Sequence, residues 1–243
     1  MTALVISHRT NMGTMPENTL AGISAAIADG VDAIEVDVRA TADGVPVLLH
    51  DSSLKRTTGD PRELAEVTSA ALSELLVADP YDDAGPQPVP TLAAALALVD
   101  GRCTLVLEVK QADIQQAIAA TVREAAASAS CWLWAFDPGV AAAVSEALPE
   151  VPASLLVGHL GTALDGPESP LQLARGAGFV GVSLHHSLVT AEAVAAARGY
   201  GLSVYTWTVN DDADIRRVRN AGVDGICGNY PPRIARALGV ASG

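Results

Sequence analysis

Aromatic residues are rare in this chain: two Phe, three Trp and four Tyr make up 4% of its 243 residues. A close-packed core then has to come from Ala, Val, Leu and Ile, and a hydrophobic content of 49% can fill one large core. Cysteine is scarce too. Cys103, Cys131 and Cys227 lie in or beside apolar runs and make no CxxC pair, which reads as buried free thiols in a reducing compartment. Positive charge is short: 15 Lys and Arg face 28 Asp and Glu, a formal charge of −13. Such a surface repels nucleic-acid backbones and anionic bilayers, so neither nucleic acid nor a stable membrane association is expected. A ligand that carries phosphate would need a few local cations or a metal ion. No apolar run reaches the length of a membrane span. Met1-Thr2-Ala3 runs straight into apolar residues without a basic leader, so the expected location is cytoplasmic. Familiar motifs are missing as well. No GxGxxG follows a strand, no GxxxxGK[ST] occurs, Ser183 and Ser187 have no GxSxG setting, and DPYDDAG (79–85) lacks EF-hand spacing.

What the chain has in quantity is alternation. Short β-rich runs (3–7, 33–38, 103–110, 131–136, 153–158, 179–184, 202–207 and 224–228) alternate with Ala-rich helical stretches such as 19–29, 91–99, 113–128, 138–148, 190–199 and 211–221. A further short run at 46–50 goes with the second unit. Eight units of apolar strand and amphipathic helix predict an α/β chain folded as a (β/α)8 TIM barrel, with residues 1–243 as a single domain. Residues 51–90 are polar and irregular, too long for a plain strand-to-helix loop, and read as a small insertion or cap after the second strand. A barrel places catalytic groups at the C-terminal ends of its strands. The polar residues that interrupt the apolar runs fall there: His8, Glu35 and Asp37, His50, Glu108 and Lys110.

Glu35-Val36-Asp37 alternates charge, apolar, charge, and period-2 geometry puts both carboxylates on one face. Two such groups repel each other and are costly to bury, and a bound cation removes the conflict. Glu108, at the end of the next predicted strand, supplies a third carboxylate. An all-oxygen set suits a hard divalent cation, Mg²⁺ or Ca²⁺. His8 and His50 can serve as general base and general acid near neutral pH, and Asp51 can orient a neighbour. Arg9 and Lys110 supply the cations a phosphate needs. His159, His185 and His186 have no known ligand spacing and read as loop or rim residues.

Taken together these stretches resemble the glycerophosphodiester phosphodiesterases. The match runs through HRTNMGTMPENT (8–19), VDAIEVDVRATADGVPVLLHD (31–51), LKRTTG (54–59), VPTLAAAL (89–96), LEVK (107–110), YTWTVND (205–211) and AGVDGICGNYP (221–231). The resemblance implies metal-dependent hydrolysis of a small-molecule glycerophosphodiester to an alcohol and sn-glycerol 3-phosphate. It makes His8 and His50 the acid/base pair, Glu35, Asp37 and Glu108 the metal ligands, and Arg9 and Lys110 phosphate contacts. It also implies that Glu17 and Asn18 brace the site and that Phe136 and Trp207 make apolar contacts to the substrate. Two departures are visible: Thr10 stands where the family usually has Gly, and Gly228-Asn229 replaces the usual Thr-Asp. Two other readings share the barrel, namely phospholipase D-like cleavage of a (lyso)phospholipid head group and a non-catalytic binding module. Few aromatics sit near strand ends, so no aromatic cage for a choline head group is expected.

Overall fold

The computed structural model describes residues 2–82, 84–158 and 169–240. Eight strands form the barrel: β1 (Leu4–Ser7), β2 (Ala33–Ala40), β6 (Thr104–Val109), β7 (Cys131–Ala135), β8 (Ala153–Val157), β9 (Gly181–His185), β10 (Ser203–Trp207) and β11 (Gly225–Gly228). Each pairs in parallel with the next, and β1 pairs with both β2 and β11, which closes the ring. Helices α1 (Leu20–Ala28), α4 (Leu92–Val99), α5 (Gln115–Glu124), α6 (Pro138–Ala147), α7 (Pro170–Gly176), α8 (Ala191–Gly199), α9 (Asp212–Ala221) and α10 (Pro231–Leu238) lie between the strands. Hydroxyl side chains start several of them. Thr19, Thr91, Ser169 and Thr190 each accept an N–H from the first turn of α1, α4, α7 and α8.

The period of 2 sorts every strand into two faces. Val5, Ile34, Val36, Val38, Leu105, Leu107, Val182 and Val204 face outward and pack with the helices in the large apolar layer. Ile6, Ala33, Val106, Trp134, Leu156, Tyr205 and Cys227 face inward and fill the barrel, with Trp132 and Trp207 packed against them. Here the expectation of an aliphatic core needs a correction. The outer layer is aliphatic, but all three Trp of the chain gather in or against the barrel interior. Glycine makes the room. A Cβ on Gly225 would come within 2.9 Å of the Tyr205 ring, and one on Gly181 within 3.2 Å. Small residues beside large ones let the interior layers interdigitate.

After β2 the chain turns back in β3 (Pro46–Leu48), antiparallel to β2, and enters the 51–90 segment. That segment contains α2 (Lys55–Thr58), α3 (Ser69–Leu72) and the paired β4 (Leu76–Val77) and β5 (Gln87–Pro88). It has its own small core of Leu54, Leu64, Val67, Leu72, Val77 and Val89, continued by Val47 and Leu49. The Tyr81 hydroxyl donates to the Met12 carbonyl and ties the segment to the β1–α1 loop. No helix among the described residues is long and apolar enough to cross a membrane.

Candidate active site

Continuing the inward rows past the barrel floor leads to the candidate residues. Glu35, Asp37 and Arg39 stand one pleat apart on β2, and Asp37 lies in register with Glu108 on β6. The three carboxylates are buried, at 2%, 0% and 8% exposure. One ligand oxygen from each lies within 4.8 Å of the others. Glu35 Oε1 is buried with no hydrogen-bond partner, an acceptor that a cation would satisfy. Burial and the charges of Asp37 and Glu108 push the Glu35 carboxyl well above the usual carboxylate range. Glu108 is raised by burial and by Asp37, although Lys110 opposes the shift. Burial alone would raise Asp37 as well, but Lys110 and Arg9 outweigh it and hold that carboxyl low. The donor set is therefore hard oxygen, buried and short of positive charge, and fits a divalent cation.

The β1–α1 loop holds this cluster with backbone that few residues adopt. Arg9, Thr10 and Asn18 have φ of 46°, 73° and 55°. The Arg9 N–H donates to Glu35 Oε2 at 2.8 Å and the Thr10 N–H to the Glu35 carbonyl at 2.9 Å. Asn18 clamps Asp37 by donating Nδ2–H to Oδ2 at 2.7 Å and accepting the Asp37 N–H at 3.0 Å. A β-branched residue at positive φ is unusual. Thr10 is accommodated because α1 carries Gly22 beneath it, where a Cβ would lie 2.1 Å from Thr10 Oγ1. The departure at position 10 therefore leaves the turn in the left-handed region and moves the steric demand onto the neighbouring helix.

The two cations close over the cluster. Arg9 Nε is 3.4 Å from Asp37 Oδ2, Lys110 Nζ is 3.2 Å from Asp37 Oδ1, and Lys110 also bonds Glu108. Both histidines are near enough for the charge of Asp37 to act on them. His8 Nδ1 lies 2.7 Å from Asn229 Oδ1. Burial and Arg9 push its pKa down to about 4. His50 Nδ1 lies 2.6 Å from Asp51 Oδ1. Burial lowers His50, while Asp37 and Asp51 pull the other way. Arg56, on α2, ties the two sides together. Its Nε is 2.6 Å from Asp51 Oδ2, and its two terminal nitrogens are 2.7 and 2.8 Å from the Glu17 oxygens. Glu17 in turn accepts from Arg9 at 3.4 Å.

On the far side of the mouth Phe136 and Trp207 meet edge to face at 5.2 Å, with His185 on Trp207 at 5.3 Å. This side is more aromatic than the strand ends suggested, but Lys110 Nζ already sits 5.8 Å from the Phe136 ring centre. His186 pairs with Asp214 at the rim, and His159 lies outside the described residues. The structure thus brings His8, Arg9, Glu17, Asn18, Glu35, Asp37, His50, Asp51, Glu108, Lys110, Phe136 and Trp207 to one end of the barrel. Sequence reasoning missed three members. Arg39 carries the same period-2 signal as Glu35 and Asp37. Arg56 sits inside the LKRTTG stretch. Asn229 was visible only as a departure, with nothing to join it to His8.

Comparison with known proteins identifies the family and agrees with the fold. The profile of the glycerophosphoryl diester phosphodiesterase family matches residues 8–233. A protein of Silicibacter pomeroyi DSS-3 that bears the family's name is 34% identical in sequence, with a TM-score of 0.91 over 100% of this chain and 96% of that one. A phosphodiesterase of Oleispira antarctica, solved in complex with the product sn-glycerol-3-phosphate, is 25% identical, with a TM-score of 0.86 over 98% of this chain and 97% of that one. The glycerophosphodiester phosphodiesterase of Caldanaerobacter subterraneus is 27% identical over 95% of this chain and 96% of its own length. The chain belongs to the glycerophosphoryl diester phosphodiesterase family.

Proposed function

We propose that this chain hydrolyses glycerophosphodiesters to an alcohol and sn-glycerol 3-phosphate. The observation that carries this reading is the charge balance of the buried carboxylate cluster and the two cations paired with it. Three buried carboxylates face two cations, Arg9 and Lys110, which leaves one negative charge. A divalent cation turns that into one positive charge, which a phosphodiester monoanion then cancels. Mg²⁺ or Ca²⁺ suits the oxygen set, held by Glu35, Asp37 and Glu108. Bound there, the ion would neutralise phosphoryl oxygens and acidify a coordinated hydroxyl or water.

The protein's own groups supply the rest. Arg9 and Lys110 orient the phosphate. The neutral amide of Asn229 accepts the Nδ1–H of His8, so Nε2 presents a lone pair, and the depressed pKa keeps it unprotonated near neutral pH. His8 is thereby suited to take the proton of the nucleophile. Burial lowers the His50 pKa, and Asp37 and its carboxylate partner Asp51 oppose that shift; His50 is thereby the histidine placed to protonate the departing alkoxide. Glu17 and Asn18 hold Arg9 and Asp37 in place. A binding module would have no use for two histidines with such different partners. The free thiols of Cys103, Cys131 and Cys227 suit a cytoplasmic setting. The test is release of sn-glycerol 3-phosphate from glycerophosphodiesters, with and without chelator. Full turnover in excess EDTA, or none with Mg²⁺ or Ca²⁺ restored, would refute the reading.

A further inference from the structure

Arg39 is the one cation at the mouth that the catalytic reading leaves unused. It follows Glu35 and Asp37 on the inward row of β2, one pleat above the metal ligands. It is half-buried, and its Nε donates to the His50 carbonyl at 2.8 Å. Its two terminal nitrogens have no partner, and no carboxylate among the described residues lies within ion-pair distance of it. The terminal nitrogens keep their N–H donors open to the adjoining space, and a planar carboxylate can engage two of them at once.

The space beside it is a cleft of about 470 Å³ lined by Arg39, His50, Ser52, Lys110, Phe136 and Val140. Three carboxylates also border the cleft, and each is engaged. Asp51 spends its oxygens on His50 and Arg56, Glu108 is bonded to Lys110, and Asp137 Oδ1 caps α6 through the N–H groups of Gly139 and Val140. Lys110 Nζ lies 5.8 Å from the Phe136 ring centre. The cleft therefore presents a guanidinium that has no carboxylate within ion-pair distance among the described residues. It opens next to His50, the group suited to protonate the leaving alkoxide.

We propose that this cleft receives the leaving alcohol, and that Arg39 selects alcohols that carry a carboxylate, gripping it with its two idle nitrogens. The proposal rests on the phosphodiesterase reading above. Its test compares kcat/KM for glycerophosphoserine, glycerophosphoglycerol and glycerophosphocholine, whose alcohols carry a carboxylate with an ammonium, no charge, and a cation. The wild type should prefer glycerophosphoserine. Arg39→Gln should lower kcat/KM for that substrate about 10- to 100-fold beyond its effect on the other two. The effect shared by all three substrates reports the contact to the His50 carbonyl. Arg39→Lys keeps the charge without the planar fork and should recover part of the preference; it also carries the test if the Gln variant does not fold. An equal loss on all three substrates, or a wild type that prefers the choline diester, overturns the proposal. Turnover of none of them sinks the phosphodiesterase reading, and the proposal with it.

Discussion

Removing and restoring the metal ion tests the site most directly, because the cost of the empty cluster is written into its geometry. Glu35, Asp37 and Glu108 place ligand oxygens within 4.8 Å of one another, and two cations cannot neutralise three carboxylates. Without metal, burial and the charges of Asp37 and Glu108 raise the Glu35 pKa in the folded state. The sign follows. A carboxyl whose folded pKa is raised stabilises the fold at low pH and loses that contribution as pH rises through the raised value. The metal-free protein should therefore lose thermal stability across that window, and the metal-loaded protein should lose less. At a concentration one hundred times Kd, a ligand that binds only the folded state adds about 2.7 kcal/mol. For a chain of this size that is a rise in Tm of about 5–11 °C. The assay is differential scanning fluorimetry on chelated protein with Mg²⁺ or Ca²⁺ added back. Calorimetry in two buffers of different ionisation enthalpy should show proton release on binding. An unchanged Tm at saturating metal, or an equal rise in Glu35→Gln and Glu108→Gln variants, would refute the argument.

Other expectations follow from the same geometry. His8→Ala and His50→Ala should each lower kcat about 10²- to 10⁴-fold while circular dichroism stays unchanged; wild-type turnover in both would remove them from the mechanism. Asn229→Asp puts a carboxylate on His8 Nδ1, which favours the imidazolium and raises the pKa now near 4. The acid limb of kcat/KM should then move to higher pH, and an unmoved limb would show that His8 is not the titrating base. Arg56→Ala frees Asp51 and Glu17 together, so kcat should fall up to about 10²-fold through misplacement of His50 and Arg9, with metal affinity kept. Trp134→Ala empties the centre of the barrel and should cost about 3–5 kcal/mol in denaturant unfolding.

The parts of this protein that were legible in its sequence are those that obey a short period. Alternation along β2 put Glu35 and Asp37 on one face before any fold was known, and strand ends marked His8, Glu108 and Lys110. The same rule reaches Arg39, which escaped notice because a third charge in the row had no evident partner. Contacts across the barrel carry no such period. Asn229 meets His8 only because β11 closes on β1, and Gly228 pairs with Ser7 there. The packing of Tyr205 against Trp132 and Trp134 could not be read from composition, since the glycines that leave room for its ring lie on β9 and β11.

The fit of Thr10 against Gly22 has an evolutionary side. Ala in place of Gly22 would ordinarily help a helix interior by about 1 kcal/mol. Here its Cβ would meet Thr10 Oγ1 at 2.1 Å, so the substitution is barred while threonine stays at position 10. Replacing Thr10 with glycine relieves the backbone and unlocks the exchange. The two sites can move only in that order, an instance of sign epistasis. The loop that carries Arg9 and the helix behind it are therefore coupled through this one contact.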